Sequence, residues 1–518
     1  MEGIPMDDSR LLDFRRVLID VKSVLLLWKE CTPKLLVVTD SLNYSATSGF
    51  GLTQFAHTLA TSTIHGMTPI VVKASRGADP GADLANFDFT NASNGLVKGR
   101  YDVVFLFGIT SEGVNALPAA QVNAIAKFMQ QGGGVFATGD HESLGASLSG
   151  DVPRIRSMRF WKQSETPDIA DTSRLSTNLP GDNLIYEFVD QSDVHPQRLY
   201  LNYRTTAGGV GNPHPLVQGG HLGPIEVFPD HPHEGECRVP ADLSTTVAID
   251  GITTDEWPVL TGGGPRVSPE MVAMTMSHGD SFPGKQALVP RSFMSIVAYD
   301  GQLAGVGRAA TDATWHHFVN INLDGTDSGR SGLQDPPGTD TPDLLRIRQY
   351  YRNLATWLMP KNVRKCLRFP WLLEEAARFP LFEELIVPRL ASASAEELHQ
   401  IGTQVASALS ARYPAWHAAE LVADALEDGA GPGVAATIAR LGGRFGKASA
   451  HDLGLAALGG IMAATLARLI EMRDPKEIDP HKTFDAIAGP AAELAIRRYS
   501  EGCRAELSAV SDILAKLG

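Results

Sequence analysis

Cysteine is scarce in this chain of 518 residues: Cys31, Cys237, Cys366 and Cys503 are the only four, and no two form a CxxC pair. That spacing excludes a thiolate zinc site of the ordinary kind and points to a reducing compartment. Basic residues are outnumbered, with 45 Lys and Arg against 59 Asp and Glu, for a net charge of −14. So acidic a chain lacks the broad basic face that nucleic acid or an anionic membrane requires, and neither is expected as a partner. Long apolar runs are missing too. The stretch 17–28 is broken by Asp20 and Lys22, and the uncharged stretch 453–467 is shorter than a membrane span and holds Gly454, Gly459 and Gly460. The N-terminus carries Glu2, Asp7 and Asp8 where a secretion signal carries basic residues. A cytoplasmic protein is the expectation.

Familiar catalytic and binding motifs are absent as well. GRFGKAS (443–449) lacks the glycine spacing of a phosphate-binding loop, and no nucleotide cofactor is expected. GASLSG (145–150) has Ser149 where a nucleophile elbow has its second glycine. NINLDG (320–325) opens like a calcium loop, but the twelfth position is Ser331 rather than Glu.

What is present is an alternation of short apolar runs with helical periods. Residues 8–29 have Leu11, Leu12, Phe14, Leu18 and Val21 near helical spacing. KLLVVTD (34–40), TPIVVKA (68–74), YDVVFLFG (101–108) and GGVFATGD (133–140) read as strands buried on both faces, with helices expected at 52–64 and 121–133. SIVAYDG (295–301) and AGVGRAATD (304–312) return to the same sheet. This is the pattern of an α/β fold with a mostly parallel sheet and flanking helices. Residues 150–300, rich in Gly, Pro and Asp, read as long insertions of short strands and loops.

A helix opens at Pro342 and stops at Pro360, after which β-type runs vanish. Ser394 and Glu397 form a capping box before Leu398, Ile401, Val405 and Leu409, and further helices are expected near 416–427, 433–441, 451–472 and 483–517. The expected division is an N-terminal helix at 1–33, an α/β domain at 34–360, and an all-α domain at 361–518 through which the chain forms a homo-oligomer.

Nine of the 15 histidines fall between 141 and 317, and three groups stand beside carboxylates: GDHES (139–143), PDHPHEGE (229–236) and the TWHH (314–317) that follows Asp312. Imidazole with carboxylate is the equipment of acid–base catalysis near neutral pH. In an open parallel sheet the ligand crevice lies beyond the carboxyl ends of the strands, which is where Asp40, Asp140, His141 and Glu142 fall. The plainer alternative for GDHES is that Asp140 caps the next helix and His141 packs against it. His231 and His233 of an extended segment would share one side, with Glu234 opposite; the alternative is a solvated acidic loop. His316 and His317 would face opposite ways in a strand. If the chain turns after Asp312, both reach one site, as base or ligand and as orienter.

KFMQQGGGVFATGDHES resembles the strand-and-histidine segment of class I glutamine amidotransferase-like domains of the trehalose-utilisation type. HPLVQG (214–219) followed by PDHPHEGE is similar to that family's His-Pro segment and acidic cluster, which makes His214 a candidate substrate contact. GVGRAATDATWHH is similar to its Gly-Arg strand ending in histidine. The resemblance covers about 34–323 and implies a flavodoxin-like sheet. No cysteine stands at the elbow, so glutamine hydrolysis through a thiolate is not implied.

The expected activity is hydrolysis of a small polar metabolite, a carbohydrate derivative or an amide. His141, Glu142, His316 and His317 would be catalytic, and Asp40, Asp140 and His214 would contact substrate. In a metal-dependent version His141, His231, His233, Glu234 and His317 would hold a divalent ion such as zinc. The alternative is a ligand-sensing or interaction module without turnover.

Overall fold

The computed structural model describes residues 30–517 apart from 98, 141–142, 163–164, 166–195, 207–208, 230–234, 278–290, 329–331, 379–392, 431–446 and 472–478. The helices expected at 8–29 and 433–441 lie outside the described residues.

Strands β1 (Lys34–Thr39), β2 (Ile70–Ser75), β3 (Val103–Phe107) and β4 (Gly134–Thr138) alternate with helices α1 (Thr53–Thr61) and α2 (Ala119–Gln130). After the insertion come β5 (Gln197–Leu201), the hairpin β6 (Tyr203–Thr206) and β7 (Gly209–Pro213), then β8 (Val227–Phe228). A second hairpin, β9 (Thr246–Ile249) and β10 (Ile252–Asp255), precedes β11 (Glu270–Ser277), β12 (Arg291–Tyr299) and β13 (Ala309–Asp312). The nine-stranded sheet has the order β2-β1-β3-β4-β13-β12-β11-β5-β8. Its first five strands run parallel and the remaining pairings are antiparallel, so the sheet is mixed.

Burial on both faces explains the continuous apolar runs. Leu35, Val37, Phe105, Phe107 and Phe136 point into one core, while Leu36, Val38, Val104, Leu106, Val135 and Ala137 point into the other. Helix α3 (Pro342–Leu358) closes the first face. Thr341 caps it, Pro342 starts it, and Leu344, Ile347, Tyr351, Leu354 and Leu358 are fully buried along it.

Beyond Pro360 lie α4 (Lys361–Arg378), α5 (Ala395–Ser410), α6 (Trp416–Ala430), α7 (Lys447–Glu471) and α8 (Pro480–Leu517). The capping box at Ser394 is formed, with both reciprocal hydrogen bonds present. At the α5–α7 crossing, Gly402 and Gly459 let the backbones touch: a Cβ on either would fall on the carbonyl of Leu455 or Leu398. The first core does not stop at Pro360. It runs from the sheet and α3 through Trp371, Leu421, Ile461 and Phe484.

A charged cluster also crosses that line. Arg308, just before β13, pairs with Asp300 at 2.8 Å and with Glu420 of α6 at 2.5 Å, and stacks on Trp357. Arg364 of α4 pairs with Glu420 at 3.3 Å and Asp424 at 3.6 Å, and Arg368 pairs with Asp424. Cys31, just before β1, forms a disulfide with Cys366 of α4, Cα to Cα 5.4 Å. The absence of a CxxC pair pointed to a reducing compartment and gave no sign of this bridge. Partners 335 positions apart leave no local spacing to read.

Although burial acts to raise it, the guanidinium groups of Arg308 and Arg364 hold the Glu420 carboxyl down to about 2, against an ordinary 4.5. A depressed carboxyl adds stability above its unfolded pKa and loses it as pH falls towards the folded value. Glu420→Gln should therefore cost about 3 kcal/mol in urea unfolding at pH 7, because it strands buried guanidinium groups. The gap between wild type and variant should close between about pH 5 and pH 2. A gap that is absent at pH 7, or does not change with acid, would remove the cluster from the stability argument.

Candidate functional site

The parallel strands β1, β3, β4 and β13 deliver their carboxyl ends to one edge, and two aspartates sit there side by side. Asp312 ends β13 and is in register with Thr138 of β4, two residues before Asp140. Both carboxylates are wholly buried, so each needs donors on the spot.

The chain supplies them by turning. After Asp312 it leaves the strand and forms a single 3-10 turn, Trp315–His317, whose first free amide is capped by Thr314. The Thr314 hydroxyl also donates to Asp140 Oδ1 at 2.7 Å, so one side chain starts the turn and satisfies the neighbouring strand's carboxylate. His316 Nε2 lies 3.7 Å from Asp140 Oδ2. Its Nδ1 is 2.9 Å from Asn322 Oδ1, an oxygen that only accepts, so Nδ1 carries the proton. The ring stacks on Trp315, with centroids 4.3 Å apart, and its side chain is 9% exposed.

His317 faces the other aspartate. Its Nδ1 is 2.8 Å from Asp312 Oδ1, off the line of a good hydrogen bond. Tyr350 of α3 donates to Asp312 Oδ2 at 2.8 Å, and Tyr351 donates to the His317 carbonyl at 2.5 Å. Burial, and next to it the Asp312 charge, push the Tyr350 phenol well above its ordinary 10, so it remains a donor. The His317 ring packs on Phe228 at 4.5 Å, and its Nε2 is buried with no hydrogen-bond partner among the described residues.

A buried cation completes the edge. Arg159 donates to the carbonyls of Asp140, Phe160 and Ala313 and stacks on Trp161. Burial lowers its pKa from the ordinary 12.5, while Asp140 and Asp312 act the other way. Gly235 has φ +93° and lies so close that a Cβ there would strike the guanidinium. On either side of the histidine-rich segment, Phe228 thus packs on His317 and Gly235 on Arg159.

His141, Glu142, His231, His233 and Glu234 lie outside the described residues. Of the expected metal ligands only His317 is described, and one donor is no site. Among the described residues, no group of three His, Cys, Asp or Glu is placed to hold an ion. His316 lies beside Asp140 and His317 beside Asp312.

Asp40 is on the same edge but acts as a fastener. It accepts from the amides of Ile109 at 2.7 Å and Thr110 at 3.2 Å, tying the end of β1 to the loop after β3. Burial raises its pKa despite those bonds. His214 lies elsewhere. It caps the turn Pro215–Val217, packs on Trp357, and sits 3.6 Å from Glu270. Glu270 pairs with the end of β12, which pairs with the start of β13, so His214 is at the opposite edge of the sheet from Asp312. Burial holds its pKa well below 6.5, with Arg204 and Arg308 adding to the effect.

The residues that sequence reasoning missed are Thr314, Asn322, Arg159 and Tyr350. Thr314 carries a readable signal, a cap residue just before TWHH. Asn322 is only six positions from His316 but carries no motif, while Arg159 and Tyr350 reach the site across 154 and 38 positions. Comparison of the chain with protein-family models, curated proteins and solved structures finds no match.

Cys237 is the one cysteine near this edge, wholly buried, with its thiol pushed up to about 12 by burial. It holds almost no thiolate at neutral pH. Native protein treated with iodoacetamide at about pH 8 should leave Cys237 unmodified by mass spectrometry until denaturant is added. Labelling in the folded state at the rate of a free thiol would reopen a thiol mechanism.

Proposed function

We propose that the carboxyl edge of β4 and β13 is an acid–base site that hydrolyses a small polar metabolite, a carbohydrate derivative or an amide. The observation that carries this reading is the doubled pair, in which two adjacent imidazoles each face a buried aspartate at the end of neighbouring parallel strands. An imidazole fixed by a carboxylate is the arrangement of a general base with its orienter. His316 is the member with access to solvent. It would take a proton from water or substrate at Nε2, with Asn322 as the orienter on Nδ1–H and Asp140, beside Nε2, stabilising the imidazolium that forms. His317, fixed by Asp312 and Tyr350, would position the turn and supply a second imidazole.

The strand succession β2-β1-β3-β4-β13 is of the 2-1-3-4-5 kind, which supports a flavodoxin-like reading of the parallel half. It is compatible with the amidotransferase-like resemblance as an analogy of fold. His141 and Glu142 follow Asp140 directly and enter this reading as further catalytic candidates. A divalent metal also stays a proposal: His317 has a carboxylate, Asp312, 2.8 Å from Nδ1 and no hydrogen-bond partner for Nε2 among the described residues, and a small change of ring angle would give it the outer partner that a ligating imidazole uses. No helix of the described chain is long and apolar enough to cross a membrane. The Cys31–Cys366 pair favours an oxidising compartment over the expected cytoplasm.

A second reading, a ligand-sensing module without turnover, is favoured by the complete burial of Asp140, Asp312 and His317. A panel of chromogenic amides, esters and glycosides, assayed with and without added zinc, separates the two. The hydrolase reading expects turnover that His316→Gln lowers about 10²–10⁴-fold while the melting temperature stays put. No turnover in any assay, together with metabolites that raise the melting temperature of wild type, would replace it with the module. Metal content of the purified protein decides whether an ion takes part.

A further inference from the structure

We propose that the end of α8 pairs antiparallel with the same segment of a second copy of this chain. The first part of α8 belongs to the helical bundle: Phe484, Ala488, Ala491, Ala492 and Ala495 are buried. Tyr499 stacks on His399 of α5, and a Cβ on Gly502 would touch Ala395 at 3.3 Å. There the support ends. Every residue from Arg504 to Asp512 is exposed, yet the helix continues to Leu517. The exposed stretch Arg504–Asp512 is nine residues, roughly 14 Å at 1.5 Å per residue.

Its sequence is not that of a solvated helix. Cys503, Leu507, Val510, Leu514 and Leu517 are spaced by four, three, four and three, the heptad seam that a two-stranded coil buries. Leu507 is 70% exposed and Val510 51% exposed. A helix of this length standing free is marginal in water, so a seam of this period needs a partner.

Charge selects a second copy. The chain carries −14, but residues 501–517 hold Glu501, Glu506 and Asp512 against Arg504 and Lys516, three acids and two bases. A second copy therefore approaches this near-neutral rod with little of the repulsion that the acidic body as a whole exerts. It is also too weakly basic to hold an anionic lipid surface. Antiparallel pairing sets Leu507 of one copy over Val510 of the other. The two acidic bodies then lie at opposite ends, farther apart than the screening length of about 8 Å at physiological salt. The seam is short, so the dimer is weak, with a dissociation constant on the order of 10 µM.

Sedimentation equilibrium of the full chain from about 1 to 100 µM tests this. Wild type should pass from monomer to dimer over that range. The double variant Leu507→Glu, Val510→Glu should stay monomeric throughout and melt at the same temperature, since both positions are exposed. Wild type that remains monomeric overturns the proposal, as does a double variant that dimerises as tightly as wild type. Co-sedimentation of monomeric wild type with phosphatidylglycerol vesicles, lost in the double variant, would overturn it in favour of a lipid surface.

Discussion

Two carboxylates at the ends of adjacent parallel strands, both out of reach of water, set the terms for the rest of the edge. Neither Asp140 nor Asp312 can be left without donors, because an unpaired buried charge costs several kcal/mol. The chain meets both demands within a few residues of leaving β13. Thr314 turns the backbone and serves Asp140, and the turn presents His316 towards Asp140 and His317 towards Asp312. Tyr350 then locks Asp312 from the helix below. The adjacency of the two histidines follows from the adjacency of the two strands.

That arrangement depends on which strand lies next to β4. β13 is far along the chain, and the insertion between them adds β5, β8, β11 and β12 as the antiparallel half of the sheet. Because β12 runs against β13, the two edges of the sheet become chemically different. One gathers Asp140, Asp312, the paired histidines and Arg159. The other gathers Arg308, Glu270 and His214, which lean on Trp357 and, through Arg308 and Glu420, on the helices beyond. The first edge keeps an imidazole at the solvent boundary. The second is spent on joining the sheet to the bundle.

Strand positions in the first 140 residues, the capping box at Ser394 and the Pro342 helix start were legible because they are local: apolar runs, a cap pair, a proline. So was the grouping of Asp140 with TWHH, since both follow buried runs that end at one edge. What was not legible is what rests on long separations. His214 looked like a site residue by its neighbours in sequence, and only the direction of β11 and β12 sends it to the opposite edge. Tyr350 is an apolar-face residue of a helix by period alone; its hydroxyl matters because Asp312 lies beneath it. Cys31 and Cys366 looked solitary for the same reason.

Their disulfide has a mechanical consequence. It ties the residue that precedes β1 to the second helix after the sheet, so residues 32–365, the whole nine-stranded sheet among them, form a closed covalent ring. Tension drawn between the two ends of the polypeptide passes across one sulfur–sulfur bond and never enters that ring. Pulled in that way, the oxidised chain can lengthen only in the segments outside it, before Cys31 and after Cys366, and the covalent path bypasses the strand edge that holds the two histidines.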